Sequence, residues 1–183
     1  MVYSYRVLRK VINSVVIPFH DGIIEGGIGN NFKRFEYFRG QGYQMFYVGV
    51  DLEAPNFSLP TGLIHEQGDC FDLSFLSSLF KRYPIKNPIF LTNTALCDSL
   101  LNGRYDTQVE TVVDALTHSF RKQLHLIPTG KSQFPITTSR IYSPSDNDDN
   151  EYYRKFMNFL EECRRRDWRE YLLARDILLL EHE

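Results

Sequence analysis

The sequence predicts a mixed α/β sheet, one half of it antiparallel, flanked by helices. Three observations carry that expectation. Aromatic and β-branched runs come early in the chain, segments of helical period interleave with apolar runs later, and turn residues punctuate both. The bulk composition agrees: 183 residues, 43% hydrophobic and 24% charged, suit a single globular core and exclude global disorder. No apolar run approaches the roughly 18 to 20 residues that a membrane span needs, so no membrane partner is expected.

Taken in order, residues 1–40 read as a β-rich N-terminal extension. It holds the apolar run Val11–Phe19, an Asp21-Gly22 hairpin turn, Ile23-Ile24 and the run Glu25-Gly26-Gly27-Ile28-Gly29-Asn30-Asn31. That glycine run is read first as a flexible turn, because no clear strand precedes it and no clear helix follows. Tyr43–Asp51 reads as a buried, non-edge strand, since it lacks polar alternation. Thr61–Glu66 and Cys70–Leu73 follow around the turn Gln67-Gly68-Asp69, which makes a three-stranded antiparallel meander. Ser74–Tyr83 has helical spacing at Phe75, Leu76, Leu79 and Phe80, with Ser74 as its cap. Pro88–Thr92 is a fourth strand, Gln108–Arg121 a helix opened by Asp106-Thr107, and Gln123–Ile127 a fifth strand. Lys131–Asp149 reads as polar and solvated, and a long helix runs from about Asn150 to Leu180.

Charge and cysteine usage narrow the function classes. A net charge of −2 gives no electrostatic case for a nucleic-acid coat. Cys70, Cys97 and Cys163 are odd in number and lack zinc spacing, which fits buried thiols in a reducing compartment. The first ten residues carry no apolar signal core, so an intracellular setting, cytoplasmic or nuclear, is expected.

Asp51-Leu52-Glu53 is the first chemical signal. Two carboxylates two residues apart at the end of a buried strand would share a side, and like charges held together invite a divalent cation. A solvated strand end is the plain alternative. Asp98, just after the Pro88–Thr92 strand, is expected to face Asp51 and Glu53 across the sheet. Three converging carboxylates are what two-metal phosphodiester chemistry requires.

This order of elements resembles the DEDD-type 3'–5' exonucleases, of RNase H-like fold, and most closely their RNase D-like branch. The resemblance covers residues 41–160 and leaves 161–183 as a C-terminal helix. It rests on Val48-Gly49-Val50-Asp51-Leu52-Glu53-Ala54, on Gly62-Leu63-Ile64, on Phe90-Leu91-Thr92-Asn93 leading to Asp98, and on Asp106-Thr107-Gln108. The family's late Tyr-x-x-x-Asp matches Tyr142-Ser143-Pro144-Ser145-Asp146 by spacing. By context, Tyr152 in Glu151–Phe156 aligns instead, with Phe156 where the fourth carboxylate would stand. The resemblance implies metal-dependent hydrolysis of RNA or DNA from a 3' end, with a role in RNA processing. Mg²⁺ or Mn²⁺ would be held by Asp51, Glu53, Asp98 and Asp146, and Tyr142 or Tyr152 would orient water. The alternative is an inactive pseudo-exonuclease that serves as a protein- or RNA-binding adaptor.

Other motifs fall away. Ile127-Pro128-Thr129-Gly130-Lys131-Ser132 ends like a phosphate loop, but His125 replaces its first glycine and Pro135 interrupts the following helix. Arg164-Arg165-Arg166 with Trp168 and Arg169 reads as a solvated helix face before a phosphate grip. A straight helix would carry Ile177–Leu180 about 30 Å beyond Phe156, so this tail is expected to meet a second copy or a partner protein.

Overall fold

The computed structural model describes residues 20–29, 32–56, 58–92, 109–126, 147–174 and 177–183. These form seven strands: β1 (Gly22–Gly26), β2 (Phe46–Asp51), β3 (Ile64–Gln67), β4 (Pro88–Thr92), β5 (Lys122–Leu126), β6 (Arg169–Ala174) and β7 (Ile177–Glu181). Four helices accompany them among the described residues: α1 (Lys33–Gly40), α2 (Leu73–Arg82), α3 (Val109–Ser119) and α4 (Asn147–Arg165). The strands build one sheet in the order β3-β2-β1-β4-β5-β7-β6. β1 to β5 all pair in parallel, and only β7 runs antiparallel to its neighbours β5 and β6.

The mixed α/β character is as expected, but the antiparallel half lies at the other end of the chain. The expected meander does not exist. β2 and β3 are parallel, Cys70 lies past β3 in the turn that leads into α2, and Leu73 is the first residue of that helix. Asp21-Gly22 is no hairpin turn either, because β1 lies between β2 and β4 and pairs in parallel with both. The physical cause is burial on both faces. β1 and β4 are buried at every position, the mark of a parallel sheet covered by helices on each side. Such runs carry no record of strand direction.

Two apolar layers cover the sheet. On one face Ile24, Val48, Val50 and Phe90 pack with α2, α3 and α4 through Leu76, Leu79, Val112, Leu116, Phe159 and Leu160. On the other, Ile23, Tyr47, Ile89, Leu91 and Leu179 pack with Phe35 and Phe38 of α1. Asp72, rather than Ser74, caps α2: its carboxylate accepts from the Ser74 N–H at 2.7 Å and the Phe75 N–H at 3.1 Å. These bonds, the Ser74 hydroxyl's first among them, hold the Asp72 carboxyl below its ordinary pKa. Asp21 fixes the start of β1 beside β4, accepting from the Lys86 and Asn87 N–H groups at 2.8 Å each.

The long C-terminal helix ends at Arg165, not Leu180. Asp167, in the left-handed region at φ 59, breaks it. The Trp168 N–H reaches the Cys163 carbonyl at 3.1 Å and the Asp167 N–H reaches that of Arg164 at 3.0 Å, a Schellman ending with aspartate in glycine's place. Trp168 is buried and donates to the Thr117 hydroxyl at 2.9 Å. The chain then turns back as β6 and β7. The tail expected to seek a partner is therefore an interior strand, with Leu178, Leu179 and Leu180 buried in its own domain. The expected oligomer through a C-terminal helix loses its basis.

Candidate functional site

Where strand order reverses in an open parallel sheet, the connections leaving the carboxyl ends of the two diverging strands open a crevice. Here that point lies between β1 and β4, with β2 on the far side of β1. β1 ends in Gly26, and the segment Gly27-Ile28-Gly29 turns across the end of β2. Gly27 and Gly29 have φ of 67° and 52°, a region closed to most side chains. The Gly27 N–H donates to the Val50 carbonyl at 2.8 Å, and the Gly29 N–H donates to Asp51 Oδ2 at 2.9 Å.

Tight packing under this turn explains why small residues stand there. A Cβ on Gly49 would lie 2.4 Å from Ile28 Cδ1, so the glycine in β2 is a notch into which Ile28 of the turn folds. A Cβ on Gly26 would meet Cys70 Sγ at 2.7 Å and the Phe90 ring at 3.0 Å. Replacing Gly49 by alanine should push Ile28 off the sheet at a cost of about 1–3 kcal/mol. The same change at Gly40, which faces open space at the end of α1, should be neutral or slightly stabilising. Thermal melts compare the two directly. Equal midpoints would show that Ile28 does not need the notch.

Asp51 is the last residue of β2 and is half-buried. Its second oxygen, Oδ1, accepts from the Glu53 N–H at 3.3 Å. Leu52 and Glu53 lie beyond the strand end and are exposed, so strand alternation no longer relates Glu53 to Asp51. Among the described residues no three His, Cys, Asp or Glu side chains come together to hold a metal ion. Asp98, Tyr142 and Asp146 lie outside the described residues. Tyr152 falls within α4.

Beneath the turn lies a group that the sequence reading passed over. Glu25, fully buried in β1, accepts from Arg34 Nε of α1 at 2.6 Å, again from Arg34 Nη2, and from the Tyr47 hydroxyl of β2. Burial raises the Glu25 carboxyl above its ordinary pKa while the Arg34 guanidinium opposes that rise. Burial first, then the adjacent carboxylate, keeps the Tyr47 phenol protonated.

No protein-family model matches the chain, and no curated protein does. Solved structures do. A SAM-dependent methyltransferase from Anabaena variabilis matches with a TM-score of 0.56 at 10% identity, over 98% of this chain and 85% of its own. The MycE methyltransferase of the mycinamycin biosynthetic pathway, in complex with Mg and SAH, matches with a TM-score of 0.54 at 15% identity. That match covers 96% of this chain but 47% of MycE, so the chain spans about half the length of that enzyme. A second MycE complex, with Mg, SAH and mycinamycin VI, gives 0.53 at 14%.

The chain shares the Rossmann-like fold of these structures.

This overturns the exonuclease resemblance. An RNase H-like sheet needs the antiparallel meander that is absent here, and the likeness to methyltransferases runs through nearly the whole chain. With the resemblance go two-metal phosphodiester hydrolysis, the nuclease and RNA-processing role, the Mg²⁺ or Mn²⁺ cofactor, the nucleic-acid 3' end as partner, and the pseudo-exonuclease adaptor. Among the described residues no helix is long and apolar enough to cross a membrane.

One signal in the sequence pointed to this site. The run Glu25-Gly26-Gly27-Ile28-Gly29 stands 22 residues before Asp51 at its last glycine, and both follow apolar segments. A glycine turn after a strand, followed about 20 residues later by a strand-terminal acid, is a spacing that brings turn and acid together at the carboxyl ends of neighbouring parallel strands.

Proposed function

We propose that this chain is an S-adenosylmethionine-binding domain of a methyltransferase. The observation that carries this reading is the bond from the Gly29 N–H to the Asp51 carboxylate, which draws the glycine turn and the acid of β2 together at the switch point. The residues fit the cofactor. The glycines at positive φ leave backbone in place of side chains where a ligand approaches, and a half-buried carboxylate at the next strand's end can accept from two vicinal ribose hydroxyls. Leu52, 44% exposed beside Asp51, offers an apolar surface to an adenine face. When bound, S-adenosylmethionine supplies an electrophilic methyl group on a sulfonium. The chain's own part is to orient it: the turn sets how closely the ligand can approach β1, and Asp51 fixes the ribose.

Titration of the full chain with S-adenosylhomocysteine in a calorimeter tests this. Binding in the micromolar range is expected from the wild type. Asp51→Ala should weaken it about 10- to 100-fold, the worth of a charge-assisted hydrogen-bond pair. The melting temperature should fall only modestly, because the Asp51 carboxylate holds the Gly29 and Glu53 N–H groups but lies outside the apolar core. A wild-type chain that takes up neither S-adenosylhomocysteine nor S-adenosylmethionine at millimolar concentration would refute the reading.

A further inference from the structure

Resting on that reading, we propose that Glu25, Arg34 and Tyr47 are positioning residues: a buried clamp that sets the conformation of the glycine turn before any ligand arrives. Glu25 is the penultimate residue of β1 and Arg34 the second residue of α1, so their bond spans nine positions and closes a loop around the glycine segment. Tyr47 brings in β2, the strand whose far end carries Asp51. One network therefore joins the strand entering the turn, the helix leaving it and the strand opposite it.

The clamp does what the turn cannot do for itself. A segment with glycine at three positions has the largest backbone entropy to lose on ordering, and Gly27 and Gly29 are held in conformations that other residues avoid. The Gly27 and Ile28 N–H bonds to the Val50 carbonyl, the Gly29 N–H bond to the Asp51 carboxylate and the seating of Ile28 over Gly49 fasten the turn to β2, and none of them holds α1. Gly49 is the direct cross-strand partner of Glu25, so the notch and the clamp lie side by side on one face.

Stability alone is a poor reason for these charges. A buried ion pair can often be exchanged for well-packed apolar side chains of similar volume without loss. Direction is a better one, because Arg34 Nε and Nη2 converge on Glu25 Oε1 while the Tyr47 hydroxyl holds Oε2, which sets where α1 stands against β1 and β2, and an apolar contact does not. None of the three touches the crevice: the side chains of Glu25 and Arg34 are 0% and 8% exposed, and the Tyr47 hydroxyl is spent on Glu25.

The test compares the wild-type chain with the triple variant Glu25→Leu, Arg34→Met, Tyr47→Phe, whose melting temperature should stay close to wild type. Two readouts separate positioning from packing. Hydrogen exchange at the Gly27, Ile28 and Gly29 amides should quicken at least about tenfold, and S-adenosylhomocysteine affinity should fall at least about tenfold. A folded triple variant with wild-type exchange and affinity overturns the clamp. If the wild type binds no S-adenosylhomocysteine, the proposed function fails, and the clamp is decided by exchange alone. Should the triple variant not fold, Tyr47→Phe removes a single oxygen, and exchange at the same amides about threefold faster is expected. Unchanged exchange there refutes the proposal.

Discussion

Removal of residues 176–183 is expected to abolish folding. β7 is not a terminal appendage; it is the strand that joins β6 to the rest of the sheet, pairing with β5 from Lys122 opposite Glu181 to Leu126 opposite Ile177. Leu178, Leu179 and Leu180 are each 6% exposed or less and contribute to both apolar layers. At about 1.5–3 kcal/mol for each buried leucine, their loss alone costs roughly 5–9 kcal/mol. That is comparable with the whole stability of an ordinary domain, about 5–15 kcal/mol. The ladder bonds of β5 and the whole edge strand β6 go with them. Circular dichroism and size-exclusion chromatography of the truncated chain check this. A cooperative thermal transition and a compact elution volume would show that β7 is dispensable.

The second large effect is with acid. His125 in β5 lies between the rings of Phe90 and Phe159, with centroids 6.4 and 5.6 Å away, and is 2% exposed. Its Nε2 is 2.9 Å from the Gln123 side-chain oxygen, and Nδ1 has no hydrogen-bond partner among the described residues. Burial alone drives its pKa from 6.5 down to about 3. The folded chain therefore holds a neutral imidazole where the unfolded chain binds a proton. Stability is complete above pH 6.5 and is lost as the pH falls from about 6.5 toward about 3. Over that whole range the loss is on the order of 4–5 kcal/mol. His20, also lowered chiefly by burial, adds to the loss in the same direction. His125→Leu should therefore have a flatter profile of urea midpoint against pH between 6.5 and 4 than the wild type. Parallel profiles for the two proteins would rule out His125 as the acid-sensitive group.

What could be read from the sequence follows from local chemistry. Pro88–Thr92 is a strand as expected. The helices at Leu73–Arg82 and Val109–Ser119 form where apolar spacing places them. β2 ends at Asp51, the residue singled out for chemistry. In each case a short window contains the whole cause: a run buried on both faces, a 3.6-residue period, or a carboxylate where a strand stops.

Strand direction, the end of the last helix and the chemistry of Asp51 have causes that no short window contains. Val48-Gly49-Val50-Asp51 ends an apolar strand in either fold, and its partners decide between a meander and a parallel sheet. Gly49 has its meaning only through Ile28, twenty-one positions away, folding into the notch it leaves. Asp167 stops α4 without glycine or proline because the turn places Trp168 in the core, and that burial outweighs the cost of a left-handed aspartate. Local composition determined the elements and the acid at the strand's end. Only tertiary packing decided which strand neighbours which, and so that the Gly29 amide of the glycine turn meets that acid.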